Sequence, residues 1–243
     1  MNLFYIQNIE VDKEAFLDEE ESRHCIKVLR MQAGDNLDIT DGEGFFYRAK
    51  ITDPSSKKCR IWVEKKFLPF NITTPKVHIA IAPTKNISRF EWFLEKAVEI
   101  GIDEITPLCT FHSERKNIKP DRLNKIMVAA MKQSLRATLP LLHPMQEFYQ
   151  FIRTAEHPEK YFAYCGEGEK RLLQHACRPG TDALIMIGPE GGYTEKEAKE
   201  ALQQGFRAVS LGNARLRTET AGIVACTTLR LLNEKKQYTA SKI

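Results

Sequence analysis

Hydrophobic and polar positions recur with two different periods along this chain, and the change of period divides it. In the first seventy residues the pattern is short and mostly of period two. Residues 3–6, 37–40 and 45–52 read as strands, the last two flanking Asp41-Gly42-Glu43-Gly44, a composition that suits a hairpin turn. Arg60–Phe67 sets Ile61 and Val63 against Arg60, Trp62 and Glu64, the alternation of a half-buried strand that closes a small sheet or barrel. Residues 19–29 read as one short helix with Cys25, Ile26 and Leu29 on a side. Two prolines, Pro69 and Pro75, then bracket a polar stretch and mark the best domain boundary.

From Lys76 the period lengthens, and strands alternate with helices. Residues 77–82 form an apolar strand, and Ser88 can cap a helix reaching about Ile100. Phe90, Phe93, Leu94, Ala97 and Val98 give that helix one apolar face, and Gly101 stops it. Strands are expected at 105–109, 161–165, 184–187 and 208–211. Helices are expected at 121–134, with Leu123, Ile126, Met127, Ala130 and Met131 inward, and at 195–204 and 218–232. This alternation argues an α/β domain over 76–234 on a mainly parallel sheet, after a β module over 1–70 and before a polar tail, 235–243.

Composition narrows the class without naming a function. The chain has 243 residues, 42% hydrophobic and 28% charged, which excludes a disordered polyampholyte, a collagen-like chain and a disulfide miniprotein. No apolar run approaches the roughly 18–20 residues of a membrane span, and the first residues lack a signal-peptide pattern, so a cytoplasmic protein without membrane contact is expected. Six scattered cysteines form no C-x-x-C pair and have no histidine at zinc spacing; they read as reduced and partly buried. The six histidines read as isolated, and no metal is expected. The net charge of +4 understates the basic character of most of the chain. The first 22 residues hold seven acids and one base, so everything from Arg23 onward is basic. Basic clusters such as Lys57, Lys58, Arg60, Lys65 and Lys66 suit a nucleic-acid partner, or simply a solvated surface.

Candidate chemistry collects at the carboxyl ends of the expected strands, where open α/β sheets bind ligands. One strand end carries Gly166-Glu167-Gly168, a second Gly188-Pro189-Glu190-Gly191-Gly192-Tyr193-Thr194. A third carries Gly212-Asn213-Ala214-Arg215-Leu216-Arg217-Thr218-Glu219-Thr220-Ala221-Gly222. Glycines there let a backbone approach a ligand closely, although each pair alone is equally a tight βα turn. The P-loop, G-x-G-x-x-G, H-E-x-x-H and G-x-S-x-G fingerprints do not occur.

These two later loops resemble the signature loops of the RsmE family, bacterial 16S ribosomal RNA (uracil-N3)-methyltransferases of the SPOUT class. Further matches are Glu95-Lys96-Ala97-Val98-Glu99-Ile100-Gly101, Ser113-Glu114-Arg115, Gln133-Ser134 with Arg136 and Pro140, and, earlier, Arg23-His24 and Val28-Leu29-Arg30 before Gly34. The resemblance spans nearly the whole chain. It implies an N-terminal PUA-like β-barrel, a SPOUT-type trefoil-knotted α/β domain, S-adenosylmethionine as cofactor, a homodimer, and methylation of uridine N3 in 16S rRNA of the small ribosomal subunit. Carried over, Ile187, Gly188, Glu190, Gly191, Gly192, Leu211, Gly212, Asn213, Leu216 and Thr218 would hold the cofactor, with Gly166 a further contact.

Methyl transfer to uridine N3 needs its proton removed and the resulting negative charge stabilised. Arg217 and Arg215 could supply the charge, and Glu219 or Glu190 could take the proton; Glu219 could equally be a helix-capping carboxylate and Arg217 an ion-pair partner. Two positions depart from the family pattern: Ala214 and Arg215 stand where an arginine and then an aliphatic residue are usual, and Leu135 replaces a glycine before Arg136. For RNA, Arg23, Lys27 and Arg30 at i, i+4, i+7 would share a helix face, joined by Lys57, Lys58 and Arg136. The alternatives are a SPOUT enzyme with another RNA target atom and a non-catalytic RNA-binding assembly factor.

Overall fold

The structure, a computed structural model, describes residues 2–68 and 75–234; residues 69–74 of the expected boundary and the tail 235–243 lie outside the described residues. The described chain divides into two units. The first comprises the residues up to 68 together with Met127–Leu139, and the second the rest. An α/β domain unbroken from 76 to 234, as expected from periodicity, therefore differs from the observed division, because thirteen residues of that span pack with the N-terminal unit.

The first unit is built on a five-stranded sheet. Strands β1 (Leu3–Tyr5), β2 (Glu14–Phe16), β3 (Asn36–Thr40), β4 (Phe46–Asp53) and β5 (Arg60–Phe67) lie in the order β1-β3-β4-β5-β2, with only the β1–β3 pair parallel. Alternation sends Ile39, Ala49, Ile51, Ile61 and Val63 inward, each essentially inaccessible, onto Phe4, Leu17 and Cys25. The β3–β4 turn forms as its composition predicts. Asp41 Oδ1 accepts from the Glu43 and Phe45 amides and Oδ2 from the Tyr47 hydroxyl, while Gly42 takes φ +76°. Met127–Leu139 joins this unit through Ala137, whose carbonyl accepts from Thr40 Oγ1 at 2.9 Å and the Gly44 amide at 3.0 Å, and through a Lys132–Glu21 ion pair.

The helix expected over 19–29 is two elements. Helix α1 (Glu19–Arg23) starts at Asp18, whose carboxylate accepts from the Glu21 amide, and His24–Val28 then widens to a π-helical turn in which the Leu29 amide reaches His24 O. Arg30 follows at φ +56°. The i, i+4, i+7 spacing of Arg23, Lys27 and Arg30 thus does not describe one α-helical face, although all three are exposed.

The second unit is a parallel sheet flanked by helices. Its strands are β6 (Val77–Ile81), β7 (Glu104–Cys109), β8 (Leu141–Leu142), β9 (Gln146–Glu147), β10 (Glu159–Ala163), β11 (Arg171–Leu172), β12 (Ala183–Ile187) and β13 (Arg207–Ser210). They run β11-β13-β10-β12-β6-β7-β8, with β9 also on β7 and every ladder parallel. Every residue of β6 and β12 is buried, the signature of central strands covered on both faces. The helices are α2 (Ile87–Ile100), α3 (Pro120–Gln133, of which the residues from Met127 on belong to the first unit), α4 (Phe148–Thr154), α5 (Leu173–Ala176), α6 (Glu195–Gln203) and α7 (Thr218–Asn233). On one face α2 meets α7 over β6: Gly222 sits where a Cβ would stand 2.6 Å from the Phe93 ring and 2.9 Å from Ile81. On the other, Phe148, Phe151 and Ile152 of α4 and Ala198 and Ala201 of α6 cover Ala80, Phe162, Leu184 and Met186.

Asn86, not Ser88, caps α2: its backbone is extended and its side-chain oxygen accepts from the Ser88 amide. Nor are the histidines isolated. His78, His143 and His157 converge at the amino-terminal edge of the sheet, where burial and the neighbouring His157 push the His78 imidazole down to about 3. No disulfide forms; all the cysteines are buried except Cys165, and burial lifts the Cys25 thiol to about 12.

Candidate active site

The carboxyl ends of five neighbouring strands, β13, β10, β12, β6 and β7, supply one edge of loops. After β12, Gly188 lies under the Tyr193 ring, 3.1 Å from where a Cβ would be, and Gly192 closes a turn to Pro189 O at φ +69°. Thr194 then caps α6 in a reciprocal capping box with the fully buried Glu197, whose other oxygen accepts from the Phe111 amide in the loop after β7. Gly191 faces that loop too: a Cβ there would stand 2.9 Å from His112 Cβ, and His112 Nδ1 lies 3.2 Å from Gly192 O. The sequence requires glycine at Gly191 because the β7 loop lies against it.

The loop after β13 joins the same edge through α7. Thr218 Oγ1 donates to Gly188 O at 3.1 Å, so the two glycine-bearing loops are hydrogen-bonded to each other. Gly212 adopts φ +131°, a conformation that favours glycine, and the space its Cβ would take is open; the same is true of Gly192. Leu211 and Leu216 are half-buried while Asn213 and Arg215 are exposed. Ile187 ends β12 and accepts from the Ala82 amide, and Glu190 Oε1 accepts from the Lys85 amide. Arg115 closes the β6 loop from the other side, donating to Thr84 O and Lys85 O. Gly166, after β10, is held by Lys170, whose ammonium donates to Gly166 O and Gly168 O.

Arg217 and Glu219 come together around an open pocket of about 300 Å³ at the start of α7, completed by Ser88, Arg89, Trp92 and Thr220. Glu219 is 7% exposed; one oxygen lies 3.8 Å from Arg89 Nε, and the other, Oε2, is buried without a hydrogen-bond partner. Arg217 is the residue preceding α7, exposed, and neither it nor Arg215 pairs with a carboxylate among the described residues. Arg89 and Trp92 escaped the sequence reading because both lie off the apolar stripe of α2. Of the basic residues expected to meet RNA, Arg23, Lys27, Arg30, Lys57 and Lys58 are exposed on the first unit, Lys58 resting on the Phe16 ring, and Arg136 lies in Met127–Leu139.

A parallel α/β unit with glycine-bearing loops along its carboxyl edge, preceded by a small β unit, is matched by two families of domains. Residues 72–230 match the RNA methyltransferase domain, and residues 17–63 the RNA methyltransferase PUA domain. The ribosomal RNA small subunit methyltransferase E of Buchnera aphidicola is 31% identical over 94% of this chain and 92% of its own length. A probable rRNA-methyltransferase from Porphyromonas gingivalis is 41% identical, with a TM-score of 0.89 over 96% of this chain and 98% of that one. The ribosomal RNA small subunit methyltransferase E from Neisseria gonorrhoeae, solved bound to S-adenosyl methionine, is 27% identical with a TM-score of 0.83 over 96% and 98% of the two chains. The chain belongs to the ribosomal RNA small subunit methyltransferase E family.

Proposed function

We propose that this protein methylates N3 of a uridine in 16S rRNA of the small ribosomal subunit, with S-adenosylmethionine as methyl donor. The observation that carries this reading is the hydrogen bond from Thr218 to Gly188, which joins the two glycine-bearing loops into one ligand edge. The residues fit the cofactor: at Gly192 and Gly212 open space stands where a side chain would project, so a ligand can lie on bare backbone. Amides and carbonyls of residues 188–192 and 211–216 would hold it, Leu211 and Leu216 would flank the adenine, and Gly166 would close the far side. When bound, the cofactor supplies an electrophilic methyl group on a sulfonium.

The chain's own residues then do two things. They align the acceptor nitrogen with that methyl, which can supply much of the rate for an in-line displacement. They also manage the N3 proton, which uridine keeps at neutral pH. Glu219, whose Oε2 is buried and unpartnered beside the pocket, would accept it. Arg217, unpaired and on the same pocket, offers positive charge to the oxygen that becomes anionic, with Arg215 and the amide end of α7 adding to it. Arg89 holds Glu219 in place.

The first unit would hold the RNA through phosphates, by way of Lys57, Lys58, Arg23, Lys27, Arg30 and Arg136. The same reading takes the C-terminal segment to be threaded as a trefoil knot, and the protein to work in the cytoplasm as a homodimer. Trp92 on α2 and Leu231 on α7, exposed on two helices in contact, offer apolar surface for the pairing. Calorimetry with S-adenosylmethionine separates the roles. Gly191→Val, which drives a side chain into His112, is expected to weaken cofactor binding at least tenfold. Arg217→Ala is expected to bind normally and lose at least tenfold in turnover. Equal loss of binding in both, or no binding by the unmodified protein at millimolar cofactor, overturns the assignment.

A further inference from the structure

At the opposite edge of the same sheet, four side chains that the methyl-transfer reading does not use form a cluster. His78 lies near the start of β6, Glu104 opens β7, His143 follows β8, and His157 precedes β10. Glu104 Oε2 is 2.9 Å from His143 Nε2 and 4.0 Å from His78 Nδ1, and one ligand-capable atom from each of these three residues lies within 4.8 Å of the others. His157 Nε2 is 3.2 Å from the same His78 Nδ1.

We propose that His78, Glu104 and His143 form a binding site for a divalent transition-metal ion of the zinc class. Two ligands at about 2.0–2.1 Å from a tetrahedral ion stand about 3.3 Å apart. The 2.9 and 4.0 Å separations bracket that value, so small side-chain shifts close the site. For two of the three residues the atoms not aimed inward are already held. His78 Nε2 is 2.8 Å from Thr106 Oγ1 and, in the tautomer that donates to this hydroxyl, Nδ1 turns its lone pair toward the cluster. Glu104 Oε1 takes the Lys76 ammonium at 3.4 Å, and an ion would replace the contacts that His78 Nδ1 makes with His157 and Glu104 Oε2 makes with His143. Outer partners that fix ligand orientation in this way are characteristic of protein metal sites. His78 is 4% exposed and packs edge-on against Phe151, whereas His143 and Glu104 are only half-buried, so an ion has a way in and a water can complete the coordination.

Imidazole nitrogens with one carboxylate suit Zn²⁺, Co²⁺ or Ni²⁺ rather than the hard cations Mg²⁺ and Ca²⁺. The ion would tie β6 and β7 to the chain after β8. It stands at the amino-terminal edge of the sheet, away from the candidate active site, so its role is structural.

Cobalt is the probe. Titration of the full chain with Co²⁺ is expected to give visible d–d bands of tetrahedral intensity saturating at one equivalent and displaced by Zn²⁺. Zn²⁺ is expected to raise Tm. His143→Gln and Glu104→Gln, both at half-buried positions, are expected to lower Co²⁺ affinity at least tenfold while circular dichroism stays that of the parent. His175→Ala, at an exposed histidine outside the cluster, is expected to bind as the parent does. Three results overturn the proposal: no saturable band, parental affinity in both cluster variants, or a sulfur-to-cobalt charge-transfer band showing that cysteines hold the ion.

Discussion

Cys165 is the one exposed cysteine, and it directly precedes Gly166 at the carboxyl end of β10. The other five thiols are buried, and burial raises those of Cys25, Cys59, Cys109 and Cys177 above the ordinary range, so they stay protonated and inert. One thiol per chain is therefore expected to react quickly with a disulfide reagent in the native state, and six after unfolding. If the cofactor lies on this edge, saturating S-adenosylmethionine slows the fast thiol. An unchanged rate in the presence of bound cofactor would move the ligand away from β10. At this scale the glycines were legible because a bare backbone is chemically distinctive. Arg89 and Trp92 were not, since an arginine and a tryptophan off a helix's apolar stripe look like ordinary surface until α7 is brought beside them.

At the scale of elements, the loop after β12 is held by the start of α6. Thr194 accepts from the Glu197 amide while Glu197 accepts from the Thr194 amide and hydroxyl, and the same carboxylate anchors Phe111. Thr194→Ala removes the cap and is expected to cost about 1–2 kcal/mol, read as a lower denaturation midpoint with unchanged slope. Because the loop carrying Gly191 and Gly192 enters this helix, cofactor affinity is expected to fall with stability. A variant of parental stability would show that the box contributes nothing. The long periodic helices α2, α3 and α7 and the apolar strands β6 and β12 were legible, because their burial is one-sided or complete. The pieces missed are short. Strand β2 has three residues, with Ala15 turned in and Phe16 left 44% exposed, and β8, β9 and β11 have two each, too few to show a period. The π-helical turn at His24–Val28 was invisible because it keeps helical composition while shifting the phase of Arg30.

For the whole molecule, sequence periodicity separated a β unit from an α/β unit, and within the α/β span the segment Met127–Leu139 packs with the first unit. That segment continues an amphipathic helix, and contacts such as the hydrogen bonds from Thr40 and Gly44 to Ala137 and the Lys132–Glu21 ion pair reveal where it packs. The histidine cluster was equally hidden, since its members are 14 to 79 positions apart and meet only through the strand order. No helix among the described residues is long and apolar enough to cross a membrane. The excess of basic charge after Arg23 bears instead on RNA. Reversing Lys57 and Lys58, both exposed between β4 and β5, is expected to weaken rRNA affinity at low salt and to flatten its salt dependence by up to two phosphate contacts. Equal affinity and slope would remove this loop from the interface.

The most direct test is nucleoside mass spectrometry of 16S rRNA, taken from small subunits of a strain lacking this protein and then incubated with the purified protein and S-adenosylmethionine. The expected product is N3-methyluridine, absent without cofactor and reduced at least tenfold with Arg217→Ala. Another methylated nucleoside, or none from a protein that binds cofactor and RNA, would contradict uridine N3 methylation.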